Sequence, residues 1–118
     1  MAWAFIGAGA RAAGSNSASL VAALPTASPS WVAGDLLVIV AYARGVSPTA
    51  GRSPSVPAGW DEAARFEDSD GSRGRLACFY KLAGASESDV TVSFSGAGAV
   101  GSSEMVAMLA FSGNLAAS

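Results

Sequence analysis

The chain has 118 residues, of which 51% are hydrophobic and 14% charged, with a net charge of −2. That length predicts one domain, residues 1–118, able to bury about two-thirds of its unfolded surface. Globular domains ordinarily carry about 25% charged residues, so the surface is expected to be partly covered by other subunits, or to be that of a smooth extracellular-type β-protein. There is no histidine, one cysteine and no run among the seven basic residues. The commonest general base and metal ligand is therefore missing, a disulfide within the chain is ruled out, and no nucleic-acid partner is indicated.

The first element is a strand in "AWAFIGA", Ala2 to Ala8. It runs into Gly7-Ala8-Gly9-Ala10-Arg11-Ala12, which has the glycine spacing of a dinucleotide-binding turn. Such a turn needs a helix straight after it and an acidic residue about 20 positions on. The next residues are instead Gly14, Ser15, Asn16, Ser17 and Ser19, then Pro25 and Pro29, with no acid before Asp35. Those residues disfavour a helix, so the segment reads as a strand followed by a small-residue loop or a second strand. "SASLVAAL", Ser17 to Leu24, is a weak strand that would also suit a short helix.

"GDLLVIVAYARG", Gly34 to Gly45, is the strongest strand, with the near-continuous apolar content of a central strand buried on both faces. Its apolar core, Leu36 to Ala43, is eight residues long, against about 20 needed to cross a bilayer as a helix. No Lys or Arg precedes the apolar N-terminal residues, so neither a signal peptide nor a membrane partner is expected. The segment from Arg44 to Trp60 holds three of the five prolines and no strand pattern. A loop of that length is often a binding element. Arg44, Val46, Arg52, Val56 and Trp60 are its candidate partner-binding residues.

Five of the nine acids fall between Asp61 and Asp70, and Asp68-Ser69-Asp70-Gly71 has the look of a calcium loop. The required ligands at positions five and twelve would be Ser72 and Phe79, so the match fails. A hairpin turn between strands at "EAARFED", Glu62 to Asp68, and "GRLACFYKLAG", Gly74 to Gly84, is the better reading. In the second of these, Leu76, Cys78, Tyr80 and Leu82 share one face, and Arg75, Ala77, Phe79 and Lys81 the other. Cys78 is expected to be a buried free thiol. "DVTVSFSG", Asp89 to Gly96, alternates cleanly, with Val90, Val92 and Phe94 inward. "SEMVAMLAFSG", Ser103 to Gly113, is the last strand.

The sum is an all-β antiparallel sandwich, jelly-roll-like, with six to seven strands and little or no helix. Its expected core is Trp3, Phe5, Leu37, Ile39, Trp60, Phe79, Tyr80, Phe94 and Phe111. Glu62, Glu67 and Glu104 are carboxylates of the type used in glycoside hydrolysis, but nothing sets two of them across a cleft. No Ser-x-x-Lys or Gly-x-Ser-x-Gly motif is present. No enzyme activity, catalytic residue, metal or cofactor is therefore expected. Trp31, Trp60 and Tyr80 are rings that stack on sugars in other settings, which leaves a host-surface carbohydrate-binding module as the alternative function.

"FIGAGARAAG", "GDLLVIVAYARG", "PAGWDEAARF", "GRLACFYKLAGASESDVTVSFSG" and "MLAFSG" occur in an order that resembles a family of phage and prophage proteins encoded near tail or capsid genes. The resemblance spans nearly the whole chain. Its most specific parts are "GDLLV", "P-x-GW" and "FYK-A-GASE-D-VT", none of them catalytic. It implies a virion-located structural protein on the particle exterior, a tail or fibre component or a capsid decoration protein. Its partners would be other virion proteins and further copies of itself, with no nucleic acid or membrane. Chains of that family commonly continue past "AFSG" with more strands, whereas this one ends at Ser118. The expectation is either a compact version of the fold or a sheet edge completed by another copy or another protein.

Overall fold

The computed structural model describes residues 3–26, 30–45, 52–67, 74–96 and 102–113. Among them are nine strands and no helix: β1 (Ala4–Ala8), β2 (Ala12–Gly14), β3 (Ser19–Ala22), β4 (Leu36–Arg44), β5 (Ser53–Pro54), β6 (Asp61–Glu67), β7 (Gly74–Leu82), β8 (Val90–Ser95) and β9 (Ser103–Ser112). All pairings are antiparallel. The larger sheet has the order β1-β9-β4-β7-β6, with β2 also on β9, and the smaller has the order β3-β8-β5. The count exceeds the expected six to seven because the small-residue segment after β1 forms β2, and because β5 interrupts the proline-rich segment.

The pairing is nested. The first strand pair bonds to the last (β1 and β2 to β9), then β3 to β8 in the other sheet, then β4 to β7 back in the first. That alternation is one long hairpin rolled into two layers, the jelly-roll connectivity. β6 departs from it by joining β7 at the edge of the larger sheet instead of extending the smaller one. The calcium-like stretch and its expected turn, residues 68–73, lie outside the described residues.

Between the sheets, β4 contributes Leu37, Ile39, Ala41 and Ala43, all fully buried. Ile39 lies between Phe79 of β7 and Met108 of β9, and Ala41 between Ala77 and Val106. Ala22, Val92, Phe94 and Trp60 close the same core from the other side. β8 keeps its alternation: Val92 and Phe94 are buried, while Thr91, Ser93 and Ser95 are exposed. Four of the residues expected in the core are elsewhere. Trp3, Phe5 and Tyr80 are exposed, and Phe111 is half-buried on the opposite face of β9. β9 itself is flanked by β4 and by β1 and β2, so the sheet edges are β6 and the β1–β2 strand.

Most of the segments that carry the resemblance are strands, and the most specific of them meet in turns at the end where β4 begins. In "GDLLV", Gly34 takes a positive φ of 92°. The buried Asp35 accepts the Val32 N–H on Oδ2 at 2.9 Å, and its carbonyl accepts the Ala83 N–H at 2.7 Å. In "PAGW", Gly59 has φ 84° and the Trp60 N–H donates to the Pro57 carbonyl at 3.1 Å, a turn that requires glycine at its third position. In "GASE", Glu87 accepts the Gly84 N–H at 2.8 Å and pairs with Lys81 at 3.0 Å. Lys81 in turn lies over the Trp60 ring, 6.0 Å from its centre. Asp35→Ala, which removes the buried carboxylate that accepts the Val32 N–H, is expected to lower unfolding free energy by about 1–2 kcal/mol in a urea titration. A loss below about 0.5 kcal/mol would show that water replaces the carboxylate.

Candidate interface

The sequence-derived candidates do not gather in one place. Arg44 is exposed at the end of β4. Val46 lies outside the described residues. Val56 is exposed. Arg52 and Trp60 are turned inward, with exposures of 3% and 8%. Arg52 pairs with Glu104 at 3.4 Å and sits 5.9 Å from the centre of the Phe94 ring. Trp60 precedes β6 at the end where β4 begins, and Arg44 is at the far end of β4. The described ends of the proline-rich segment thus lie at opposite ends of β4, and two of its candidates, Arg52 and Trp60, are packed into the chain's own core.

The carboxylates are likewise engaged with cations. Glu62 pairs with Arg65 at 2.6 Å and Glu67 with Arg75 at 2.9 Å, along the edge strand β6. Glu104 is enclosed with Arg52. Asp68 and Asp70 lie outside the described residues. Among the described residues no three of Asp, Glu or Cys converge on a point that would hold a metal ion, and there is no enclosed pocket. Of the three rings weighed for sugar stacking, Trp60 is buried and Trp31 packs against the core. Tyr80 alone is exposed, at 39%.

What the fold does assemble is a face. Residues of β4 that alternate with its core positions (Leu36, Val38, Val40 and Tyr42) point away from the smaller sheet. Register extends each into a row across the larger sheet. Leu36 stands between Leu82 and Phe111, and Phe111 pairs onward with Phe5. Val38 stands between Tyr80 and Leu109, and the row ends on Asp61 at one side and Ala8 at the other. Val40 stands between Cys78 and Ala107, with Ala64 beyond. Tyr42 stands between Leu76 and Met105, with Phe66 and Ala13 beyond.

These rows contain one charged residue, Asp61, at the rim. Arg44 comes next along β4, past the last row. The most exposed members are Phe66 at 66%, Phe5 at 60% and Leu82 at 46%. Phe5 and Phe111 meet edge to face, with ring centres 5.7 Å apart. Strand spacing and residue rise make the face roughly 20 Å by 20 Å, some 400 Å² in projection. That lies within the roughly 300–600 Å² of the largest patch on a typical monomer, a patch that is often an interaction site.

The opposite face of the molecule shows the contrast. There the smaller sheet turns Ser19, Thr91, Ser93 and Ser95 to solvent, with Val21 as the single large apolar residue. The free cysteine, Cys78, is half-buried within the apolar face of the larger sheet. Sequence alternation located these residues on one side of their strands. It could not tell that side from the core side, because on β4 both are apolar and on β7 and β9 the core side is the one that carries charges. No protein-family model, curated protein or solved structure matches the chain.

Proposed function

We propose that the chain is a non-enzymatic structural protein of a bacteriophage virion, on the particle exterior as a tail, fibre or capsid-decoration component. It works by assembly, with the outer face of the larger sheet as its docking surface. One observation carries the reading: four rows of apolar side chains lie bare on a sheet whose opposite side already has its own core. Apolar area on this scale stabilises an assembly by roughly 25 cal/mol for each Å² removed from water. The low charge content fits a surface specified by shape rather than by ion pairs. The turn segments that resemble the phage family support the virion setting.

Cys78 supplies the test, since it is the only thiol and sits within the docking surface. In virions purified from the phage that encodes the chain, the protein is expected in many copies per particle. Its Cys78 should be alkylated at least about tenfold more slowly than in the unfolded chain, as for a thiol in a desolvated interface. Particles that lack the chain, while the isolated protein binds host-surface glycans, would replace this reading with that of a carbohydrate-binding module.

A further inference from the structure

We propose that the apolar face is covered by a second copy of this chain, packed face to face about a two-fold axis. The inference rests on the reading of that face as an assembly surface and names its occupant. Three observations favour a second copy. The first is area. Two faces of roughly 400 Å² give about 800 Å² in flat projection, to which protruding side chains such as Phe5 and Phe66 add, against the roughly 1,000 Å² total of a specific interface. The second is charge. The rows hold a single acid, Asp61, at their rim, and the bases that flank them are Arg44 past the end of β4 and Arg11 between β1 and β2. The surface thus gives an oppositely charged partner nothing to read, whereas an identical uncharged surface fits without an unpaired buried ion.

The third is the placement of the rings. The two most exposed aromatic residues, Phe5 and Phe66, occupy diagonally opposite corners of the face. Phe5 is on the β1 edge in the row of Leu36, and Phe66 is on the β6 edge in the row of Tyr42. A two-fold axis lying in the plane of the face, along the other diagonal, brings Phe5 of each copy onto Phe66 of the other. Such reciprocity is what an isologous interface requires. The same axis crosses the strands of the two copies at near right angles, the orthogonal mode of sheet packing.

Sedimentation equilibrium on the purified chain is expected to give twice the 11.6 kDa protomer mass at micromolar concentration. Cys78 should become less reactive as concentration rises. Phe5→Glu and Phe66→Lys, both on largely exposed side chains, are each expected to raise the half-dissociation concentration at least about tenfold, as loss of an aromatic anchor does. Both should leave the melting temperature of the monomer nearly unchanged. The chain carrying both substitutions should regain the dimer, because each foreign charge then meets its opposite on the other copy. A monomer at tens of micromolar with fully reactive Cys78 overturns the proposal, as does a double variant no more dimeric than either single one. If that monomer's Cys78 is protected in virions, the assembly reading stands and the occupant is another virion protein. A dimer that is missing from virions leaves this inference standing and removes the virion reading.

Discussion

Glu104→Ala is expected to destabilise the fold by about 3–5 kcal/mol, the range for stranding one partner of a buried ion pair. The Glu104 side chain has no exposure and that of Arg52 has 3%. Their closest atoms, Nη1 and Oε1, are 3.4 Å apart without the alignment of a hydrogen bond, so the attraction is mainly Coulombic. Glu104 Oε1 also accepts the Ser17 N–H at 2.6 Å, and the neighbouring Ser102 Oγ accepts the Asn16 N–H at 2.9 Å. One carboxylate therefore ties the β2–β3 turn and the proline-rich segment to the start of β9.

Removing it leaves the Arg52 guanidinium in the core with Nε and Nη1 already lacking hydrogen-bond partners. An uncompensated buried charge costs far more than the native pair contributes. The double variant Arg52→Met with Glu104→Leu removes both charges and is expected to recover most of the loss. Urea unfolding of the four proteins measures the coupling. The loss should persist at high salt, since a buried pair is poorly screened. A Glu104→Ala loss under about 1 kcal/mol would mean that water or a rotamer change relieves Arg52.

Gly9→Ala is expected to cost about 2–3 kcal/mol, the range of an overpacked core position. Gly9 lies where the first strand crosses from β1 to β2, with its N–H donating to the Met108 carbonyl at 2.8 Å. A β-carbon there would overlap the carbonyl oxygen of Ala23, a backbone atom with no easy way aside. Gly14→Ala is the control. Its added methyl would meet the Ser17 hydroxyl, the movable end of a side chain, and the expected loss is under about 1 kcal/mol. Thermal unfolding of the two variants separates them. Equal losses would show that the chain near Ala23 yields as readily as a serine rotamer.

The Gly9 result bears on how the opening motif is read. Gly7-x-Gly9-x-x-Ala12 has dinucleotide spacing, yet the residues that would begin a helix form β2 on the edge of β9. The glycines serve a bulge, with a register slip between Phe5 and Gly7, and a close backbone crossing at Gly9. The polar loop and the prolines after it already spoke against a helix. The carbonyl that forbids a β-carbon at Gly9 belongs to a residue 14 positions away, and no local pattern announces it.

Strand identity is a local property. The alternation of Val90, Val92 and Phe94, the continuous apolar run of β4 and the Gly-, Ser- and Pro-rich breaks between the runs are legible along the chain. They were enough to determine an all-β antiparallel sandwich, because period-two burial and turn chemistry act within a few residues. Which side of a strand faces the core is decided elsewhere. On β4 both sides are apolar, and on β7 and β9 the core side carries Arg75, Lys81 and Glu104 while the outer side holds large apolar residues: Tyr42, Tyr80 and Phe111 are outside, and Ala41, Ala77 and Ala110 are within. A reading by size alone puts the large rings in the core. Only the docking of β3, β8 and β5 onto one side of the larger sheet made that side the interior. The same docking enclosed Arg52 with Glu104 and left the other side of the sheet as the bare apolar surface, because a sheet has two faces and the smaller sheet covers only one of them.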